Sequence, residues 1–425
     1  MKPAIDRRLC RGAVLIALIG AQSLFPAAWA GQPAEERPEE ILSWRHNVLA
    51  PERYVDLAAQ WEAFVGRHPA DAAAWVEWGD ALRYSGRRDE AKEKYDKAFE
   101  VDSTSAPAVS ALCAMESSEM DAGGAWPKLH GRLLRAMERD PSYGEIYYTL
   151  WKSSLILGDE ALAGESLREM VRTGDMPRPL FDYGHNMIMG APQNAVLLTN
   201  GDNDTYPPLA YQALTGLRPD VTIVNLALLN TSWYIHRLHR LGVPMAIDEA
   251  GIDGLKHMEG KFISAQVQEL IFRGAQSAAP PRPLFYSVTV PKGNRVLACK
   301  LVLEGLGQRI VAAEGEEIAT EELDVERTRE LLDLVYRIEG MTDPLIDWRR
   351  EGAVASLGKN YAASLWMIAR HFLKNGRPAE GGAYGYRAAA LLAFQHDSAW
   401  LDEIFADWAA LDPASPLLAR ARALR

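Results

Sequence analysis

The sequence predicts a mixed fold, with an all-α array of paired helices followed by an α/β domain with a mainly parallel sheet and a C-terminal helical region. Three observations predict it. A pattern of aromatic and small residues recurs before residue 177, short strand-like apolar runs appear near residue 195, and helical spacing returns after residue 323. The predicted segments are residues 1–30, 31–176, 177–322 and 323–425.

The first thirty residues have the composition of a secretory signal. Basic residues precede the apolar run GAVLIALIGA, and the small-residue motif Ala28-Trp29-Ala30 follows where a signal peptidase cuts. The alternative, an uncleaved membrane anchor, needs about 20 apolar residues, and this run is about half as long. The sequence therefore predicts a cleaved signal peptide, a periplasmic or otherwise extracytoplasmic location, and no transmembrane segment after cleavage.

The net charge of the protein argues against one class of partner. The formal net charge is −11, and no basic stripe is present, so nucleic acid is not expected as a partner.

Cys113 and Cys299 remain after signal cleavage and lie in different predicted segments. Export permits a disulfide, but two buried unpaired thiols are expected in its place.

The first helical pattern begins at AAAWVEWGDALRYSGRRDEAKEKYDKAFEVD, residues 72–102. Gly86 separates two helices, and the second carries small and aromatic residues on one face. Similar spacing recurs between Tyr147 and Met170. The pattern resembles the tetratricopeptide repeat, a helix hairpin of about 34 residues, and a generic helical bundle is the alternative. The resemblance implies contacts with other proteins, and we expect envelope proteins as partners.

Beyond the repeats, the apolar residues form short runs. AVLLTN at 195–200 and VTIVNL at 221–226 have the length and β-branched content of strands, with a helical pattern between them. A strand, helix, strand unit places two parallel strands side by side, so the loops after them open at the same edge of the sheet. From Val325 the pattern is helical again, and residues 362–388 have the spacing of a further weak repeat.

The polar residues of these two loops form the candidate ligand site, because ligands of such sheets lie outside the carboxyl ends of the strands. Asp202 and Asp204 repel phosphate, so the loop favours either a polyol or a hard divalent cation with these two carboxylates as metal ligands. Tyr206 and Trp233 are suited to cover a sugar ring. The candidate ligand-binding residues are Asn200, Asp202, Asn203, Asp204, Thr205, Tyr206, Asn230 and Trp233.

A purely structural interpretation of the first loop is also open. Asp204 or Thr205 caps the following helix in that interpretation, and Pro207 or Pro208 fits a first helical turn, where no amide partner is lost. His236 and His239 lie three residues apart on a predicted helix, where a solvated face is expected in preference to a shared metal ion.

Three longer motifs indicate a resemblance to a known family: NGDNDTYP at 200–207, PLFYSVTVPKGNR and LEGLGQRIV. On these motifs, residues 180–395 resemble the extracytoplasmic C-terminal region of multi-spanning membrane proteins of the protein O-mannosyltransferase-like family. In that family, glycosyl transfer belongs to a membrane-embedded part that uses a lipid-linked sugar donor. We find no such part in the sequence, so the resemblance implies an accessory module that recognises an acceptor protein, a glycan or another envelope component.

These observations lead to one functional hypothesis and one rival. The hypothesis is an exported, non-catalytic binding or scaffold protein of the cell envelope, with repeats for protein contacts and an α/β domain that recognises a glycan, a glycoprotein or a cation. The family resemblance implies a role accessory to protein glycosylation. The rival is a metal-dependent transferase or hydrolase acting on carbohydrate, with Asp202 and Asp204 as ligands or as acid/base groups.

Overall fold

Seven helices come first along the chain and pack in succession, as the repeat pattern predicts. In this computed structural model their bounds are Pro51–Arg67 (α1), Ala72–Tyr84 (α2), Arg88–Val101 (α3), Ala106–Glu119 (α4), Trp126–Arg139 (α5), Ile146–Leu157 (α6) and Glu160–Arg172 (α7). The predicted signal peptide lies outside the described residues, so the structure leaves it a prediction. The described residues are 37–119, 125–256, 262–295, 299–312 and 321–424.

The small positions of the repeat let paired helices approach closely. Gly79 of α2 faces the ring of Tyr95 in α3, and a Cβ added to Gly79 would overlap that ring. Tyr95 is fully buried and donates its hydroxyl to Asp80 at 2.6 Å. Gly86 has a φ of +86°, a left-handed conformation that ends α2 and turns the chain into α3. Spacing and packing agree, so the predicted all-α array is confirmed.

A six-stranded mixed sheet follows the array. Its strands are ordered β2-β1-β3-β5-β4-β6, with β1 parallel to both β2 and β3, β4 parallel to β6, and β5 antiparallel to both of its neighbours. The strand bounds are Val196–Thr199 (β1), Thr222–Asn225 (β2), Leu284–Ser287 (β3), Cys299–Glu304 (β4), Gly307–Ala312 (β5) and Glu321–Leu323 (β6).

The strand pair that the sequence predicted is present. β1 and β2 are adjacent and parallel, with Val196 opposite Thr222 and Thr199 opposite Asn225. Five helices accompany the strands of this region, and the second of them connects β1 to β2. Their bounds are Arg178–Gly190 (α8), Asp202–Thr215 (α9), Ser232–Arg240 (α10), Glu249–Asp253 (α11) and Ile263–Ser277 (α12).

Helices also form the last part of the chain, as predicted. Gly385, which stands where a repeat has a large residue, lies against the ring of Trp408, so an added Cβ would come within 2.8 Å of it. The Trp408 side chain fills the space that a large residue would otherwise take. The helices are Val325–Glu330 (α13), Gly352–Lys374 (α14), Pro378–Phe394 (α15), Ser398–Leu411 (α16) and Pro416–Arg422 (α17).

The described residues from Pro38 onward form one compact unit, and its largest apolar cluster takes side chains from the repeats, the sheet and the C-terminal helices. Cys113 and Cys299 are both buried and free, which confirms the expectation of unpaired thiols. In the described part of the chain, every helix is too short or too polar to cross a bilayer.

Candidate functional site

A cavity of about 1050 Å³ lies between the helical array and the loop that follows β1. Helices α2, α4 and α6 supply one side of its wall, and the loop at residues 200–204 supplies another. A third part comes from the chain that precedes α1. We call residues 38–47 the N-terminal segment, and its residues Glu40 to His46 line the cavity.

Asp204 anchors the loop after β1 to the start of α9. Its side chain is buried, and its two oxygens accept the backbone amides of Gly201 and Asn200, each at 2.8 Å, and the hydroxyl of Thr289. Burial raises the pKa of Asp204, and these hydrogen bonds oppose the rise. Asp204 thus acts as a helix cap, which is one of the two roles that the sequence left open.

Asp202 and its neighbours connect this loop to the N-terminal segment. The Asp202 side chain is 47% exposed, and one oxygen lies 3.1 Å from Nη1 of Arg45. Asn203 donates its amide to the carbonyl of Arg45 at 2.9 Å, and Asn200 accepts the amide of Asn294 at 3.0 Å. The candidate metal ligands Asp202 and Asp204 therefore both have partners from the chain itself.

Thr205 and Tyr206 lie behind the loop, away from the cavity wall. Thr205 is buried, and its hydroxyl pairs with that of Thr199 at 2.7 Å and accepts the amide of Asn225 at 2.9 Å. These bonds join the carboxyl ends of β1 and β2. The Tyr206 ring packs edge-on against aromatic rings of α6, and burial raises its pKa. Both residues stabilise the fold at the edge of the sheet.

Asn230 and Trp233, on the loop after β2, are also outside the cavity wall. Asn230 accepts a hydrogen bond from the backbone amide of Ser264 at 3.1 Å, and this bond connects it to the start of α12. Trp233 is half-buried against Tyr234. The cavity wall therefore unites Asn200, Asp202, Asn203 and Asp204 of the predicted set, and it does not include Thr205, Tyr206, Asn230 or Trp233.

Arg45 is a central residue of the cavity that the sequence analysis did not identify. It forms ion pairs with Glu145 and Asp202, and its guanidinium lies 3.8 Å from the centre of the Tyr148 ring. Its side chain is 20% exposed. A guanidinium suits such a place because it pairs with carboxylates through a planar fork and stacks on aromatic rings. Arg45 thereby joins the N-terminal segment, helix α6 and the loop after β1.

His46, the next residue, is surrounded by carboxylates. Nδ1 lies 3.0 Å from both oxygens of Glu351, and Nε2 lies 3.4 Å from Asp175 and 4.0 Å from Glu145. Burial alone would lower the pKa of His46, but the hydrogen bonds and charges of Asp175 and Glu351 outweigh it and raise the pKa to about 9. His46 is therefore a cation at neutral pH.

His46, Glu145 and Asp175 also have the spacing of a metal-binding group, with ligand atoms that all lie within 4.8 Å of one another. A metal ion would have to displace the proton that the raised pKa keeps on His46. Glu145 is in addition paired with Arg45. The cluster is consequently an ion-pair network in which Arg45 and His46 offset part of the negative charge of the wall.

The cavity wall is acidic overall. Among the described residues that line it, eight are acidic and four are cationic when His46 is protonated. Its aromatic part includes Trp44, which stacks on Tyr84 with ring centres 4.9 Å apart. The acidic residues are Glu40, Glu77, Asp80, Glu145, Asp175, Asp202, Asp204 and Glu351, and the cationic residues are Arg45, His46, Arg83 and Arg350.

Comparison with known proteins supports the resemblance noted in the sequence. Residues 180–245 match the family model described as TMEM260-associated domain 2. A 54-residue stretch is 33% identical to the protein O-mannosyl-transferase tmem260 of Dictyostelium discoideum, and it covers 13% of this chain and 7% of that protein. The residues matched by the family model include all of α8 except its first two residues, the loop after β1 and helix α9.

Among solved structures, the crystal structure of the yeast Tom70 matches over 88% of this chain and 63% of that chain. The identity is 11% and the TM-score is 0.25, which is too low to support a shared architecture. The chain thus spans less than two thirds of the length of both proteins. Residues 180–245, which contain the cavity-lining loop at residues 200–204, are similar to the TMEM260-associated domain 2 of protein O-mannosyltransferase-like proteins.

Proposed function

We propose that this chain is an exported, non-catalytic binding protein that works with protein glycosylation and holds a cationic segment of a partner protein in its cavity. The observation that carries the proposal is the surplus of carboxylates on the wall, eight against four cationic residues among the described lining positions. Carboxylates that are partly removed from water bind a guanidinium or an ammonium group more strongly than exposed ones do.

The link to glycosylation rests on the similarity of residues 180–245 to TMEM260-associated domain 2. The Dictyostelium relative is named as a protein O-mannosyl-transferase, and the similar stretch covers only 7% of it. A binding module that presents an acceptor polypeptide or a glycoprotein fits this limited overlap. The paired helices of the array are the expected surface for envelope partners.

A glycan is the second candidate ligand, and one feature of the wall favours it. Asn200, Asp202 and Asn203 offer amide and carboxylate groups for sugar hydroxyls, and Trp44 and Tyr84 add aromatic surface to the same cavity. A divalent cation has less support, because Asp202 is paired with Arg45 and Asp204 is bonded to backbone amides. For the same reason, a hydrolase or transferase that uses these two carboxylates has less support.

Isothermal titration calorimetry tests the proposal directly. The probes are a short arginine-containing peptide, the same peptide with citrulline in place of arginine, mannose oligosaccharides and Ca²⁺. We expect the arginine peptide to bind, the citrulline peptide to bind at least about 10-fold more weakly, and the affinity to fall as salt is added. The Asp175→Asn variant, changed on the wall, should weaken binding, whereas Glu138→Gln on the exposed face of α5 should not.

Two results would contradict the proposal. One is equal binding of the arginine and citrulline peptides, which would remove the role of the carboxylates. The other is the absence of heat with every peptide at concentrations up to about 1 mM, the weak end of the usual affinity range. Binding of the oligosaccharides in place of the peptides would select the glycan as the ligand.

A further inference from the structure

The N-terminal segment, residues 38–47, crosses the acidic cavity outside every helix and strand of the fold. Its main chain is held at several points by other parts of the protein. The carbonyl of Glu39 accepts the Trp61 indole at 3.1 Å, the amide of Ile41 donates to Glu77 at 2.6 Å, and the carbonyl of His46 accepts the amide of Ala353 at 2.8 Å. The segment thus spans the distance between α1 and α14.

Three consecutive side chains anchor the segment. Trp44 stacks on Tyr84 and donates its indole to the Tyr54 hydroxyl at 3.2 Å. Arg45 follows with its ion pairs to Glu145 and Asp202, and His46 lies among three carboxylates, one of which, Glu145, it shares with Arg45. Residues 43–47 form a turn in which the amides of His46 and Asn47 both donate to the carbonyl of Ser43. A segment without regular secondary structure, held by hydrogen bonds, aromatic stacking and a partly buried arginine, makes contacts of the kind that hold a peptide ligand in a groove.

The segment also supplies the charge that the cavity requires. Without Arg45 and His46, the carboxylates of Glu145, Asp175 and Glu351 would face one another with no cation between them. A partly buried carboxylate without a counter-charge is destabilising. A cationic segment in the cavity therefore stabilises the protein, whether it belongs to this chain or to another.

The fit of the segment is incomplete. Nε of Arg45, Oε1 of Glu145 and Oδ2 of Asp175 are buried without a hydrogen-bond partner among the described residues. An unsatisfied buried polar atom carries a free-energy cost. A segment from another protein that donated to the two carboxylate oxygens and left no buried donor of its own unpaired would bind more favourably than residues 38–47 and replace them.

We infer that the cavity is a binding site for a polypeptide segment with an aromatic residue followed by two cationic residues in a turn, and that residues 38–47 occupy this site in cis. The inference rests on the proposed function and makes it more specific, since it names the ligand sequence and an internal competitor. The competitor reduces the apparent affinity for a partner in proportion to the fraction of molecules whose site is open. A partner segment therefore has to displace Trp44, Arg45 and His46.

Fluorescence polarisation tests the inference with a labelled peptide of residues 38–49, PEEILSWRHNVL. The proteins are the full wild-type chain, the full-chain double variant Trp44→Ala with Arg45→Ala, and the control Val48→Ala, whose side chain is 59% exposed. We expect the double variant to bind the peptide at least about 10-fold more tightly than the other two, because its own segment competes less. A folded double variant that binds no better than wild type would overturn the inference.

A second form of the experiment covers a double variant that fails to fold. A protease site replaces residues 47–50 in the otherwise unchanged chain, and cleavage leaves the segment bound without a covalent connection. Exchange of the cut segment for the labelled peptide supports the inference. Unfolding on cleavage, or retention of the segment in excess peptide, overturns it. If the wild type binds arginine peptides but its segment never exchanges, this inference fails and the proposed function stands. If the wild type binds no arginine peptide and its segment does not exchange, both fail.

Discussion

The charge of His46 makes the stability of the protein depend on pH. In the folded chain, the carboxylates of Asp175 and Glu351 raise its pKa from 6.5 to about 9 against the opposing effect of burial. A raised pKa stabilises the folded state fully below pH 6.5, and this contribution is lost as the pH rises through about 9. The difference corresponds to about 3 kcal/mol, at 1.36 kcal/mol for each pH unit.

Urea unfolding of wild type and His46→Gln at about pH 6 and about pH 9.5 measures this contribution. We expect the gap in free energy of unfolding between the two proteins to shrink by about 3 kcal/mol at the higher pH. The variant Glu351→Gln removes one of the two carboxylates and should move the transition to lower pH. A gap of equal size at both pH values would refute the reasoning, because His46 would then carry no extra proton in the folded state.

Three further predictions concern the packing and the charges around the cavity. In urea unfolding, Arg45→Met should lower the free energy of unfolding by about 2–3 kcal/mol, because it leaves carboxylates unpaired. The control Arg53→Met removes an exposed ion pair and should change the free energy of unfolding by less than about 1 kcal/mol. Gly79→Leu should lower the free energy of unfolding, measured by calorimetry, by about 1–3 kcal/mol, since the new side chain has no room beside the facing ring of α3. The control Gly66→Ala lies in open space and should leave the stability unchanged or raise it. Asp204→Ala should cost about 1–3 kcal/mol in urea, with a loss of helical circular dichroism at lower denaturant, because two backbone amides lose their acceptor.

The parts of the fold that sequence predicts are those set by local spacing. The aromatic and small residues of α2 and α3 are at most about twenty positions apart, and the contact between Gly79 and Tyr95 follows from that spacing. The parallel pair β1 and β2 was predicted for the same reason, since one short helix connects the strands. Local periodicity is sufficient where the contacting residues are close in the chain.

The sequence analysis missed the hairpin of β4 and β5, which makes the sheet mixed. Its signal was present in the sequence, because Leu301 and Leu303 alternate with other residues before the turn at Gly305, which has a φ of +65°. The strand order cannot be read from this pattern. β5 pairs with β3 as well as with β4, and that pairing depends on tertiary packing.

The candidate site was predicted in part. Asn200, Asp202, Asn203 and Asp204 were identified from the loop that follows a strand, and all four line the cavity. Arg45 and His46 were not identified, because their partners lie 100 to 305 positions away in the chain. Pairing of charges over such separations leaves no periodic trace in a single sequence. The partners become evident only when the fold brings them together.

Photo-crosslinking tests the central claim, that the acidic cavity receives a cationic polypeptide, most directly. An arginine-containing peptide with a benzophenone group is irradiated with the full chain, and mass spectrometry identifies the attachment sites. We predict attachment to cavity residues such as Tyr84, Tyr143 and Tyr148, with a loss of labelling in Asp175→Asn. Labelling confined to residues outside the cavity wall, or unaffected by that substitution, would contradict the claim.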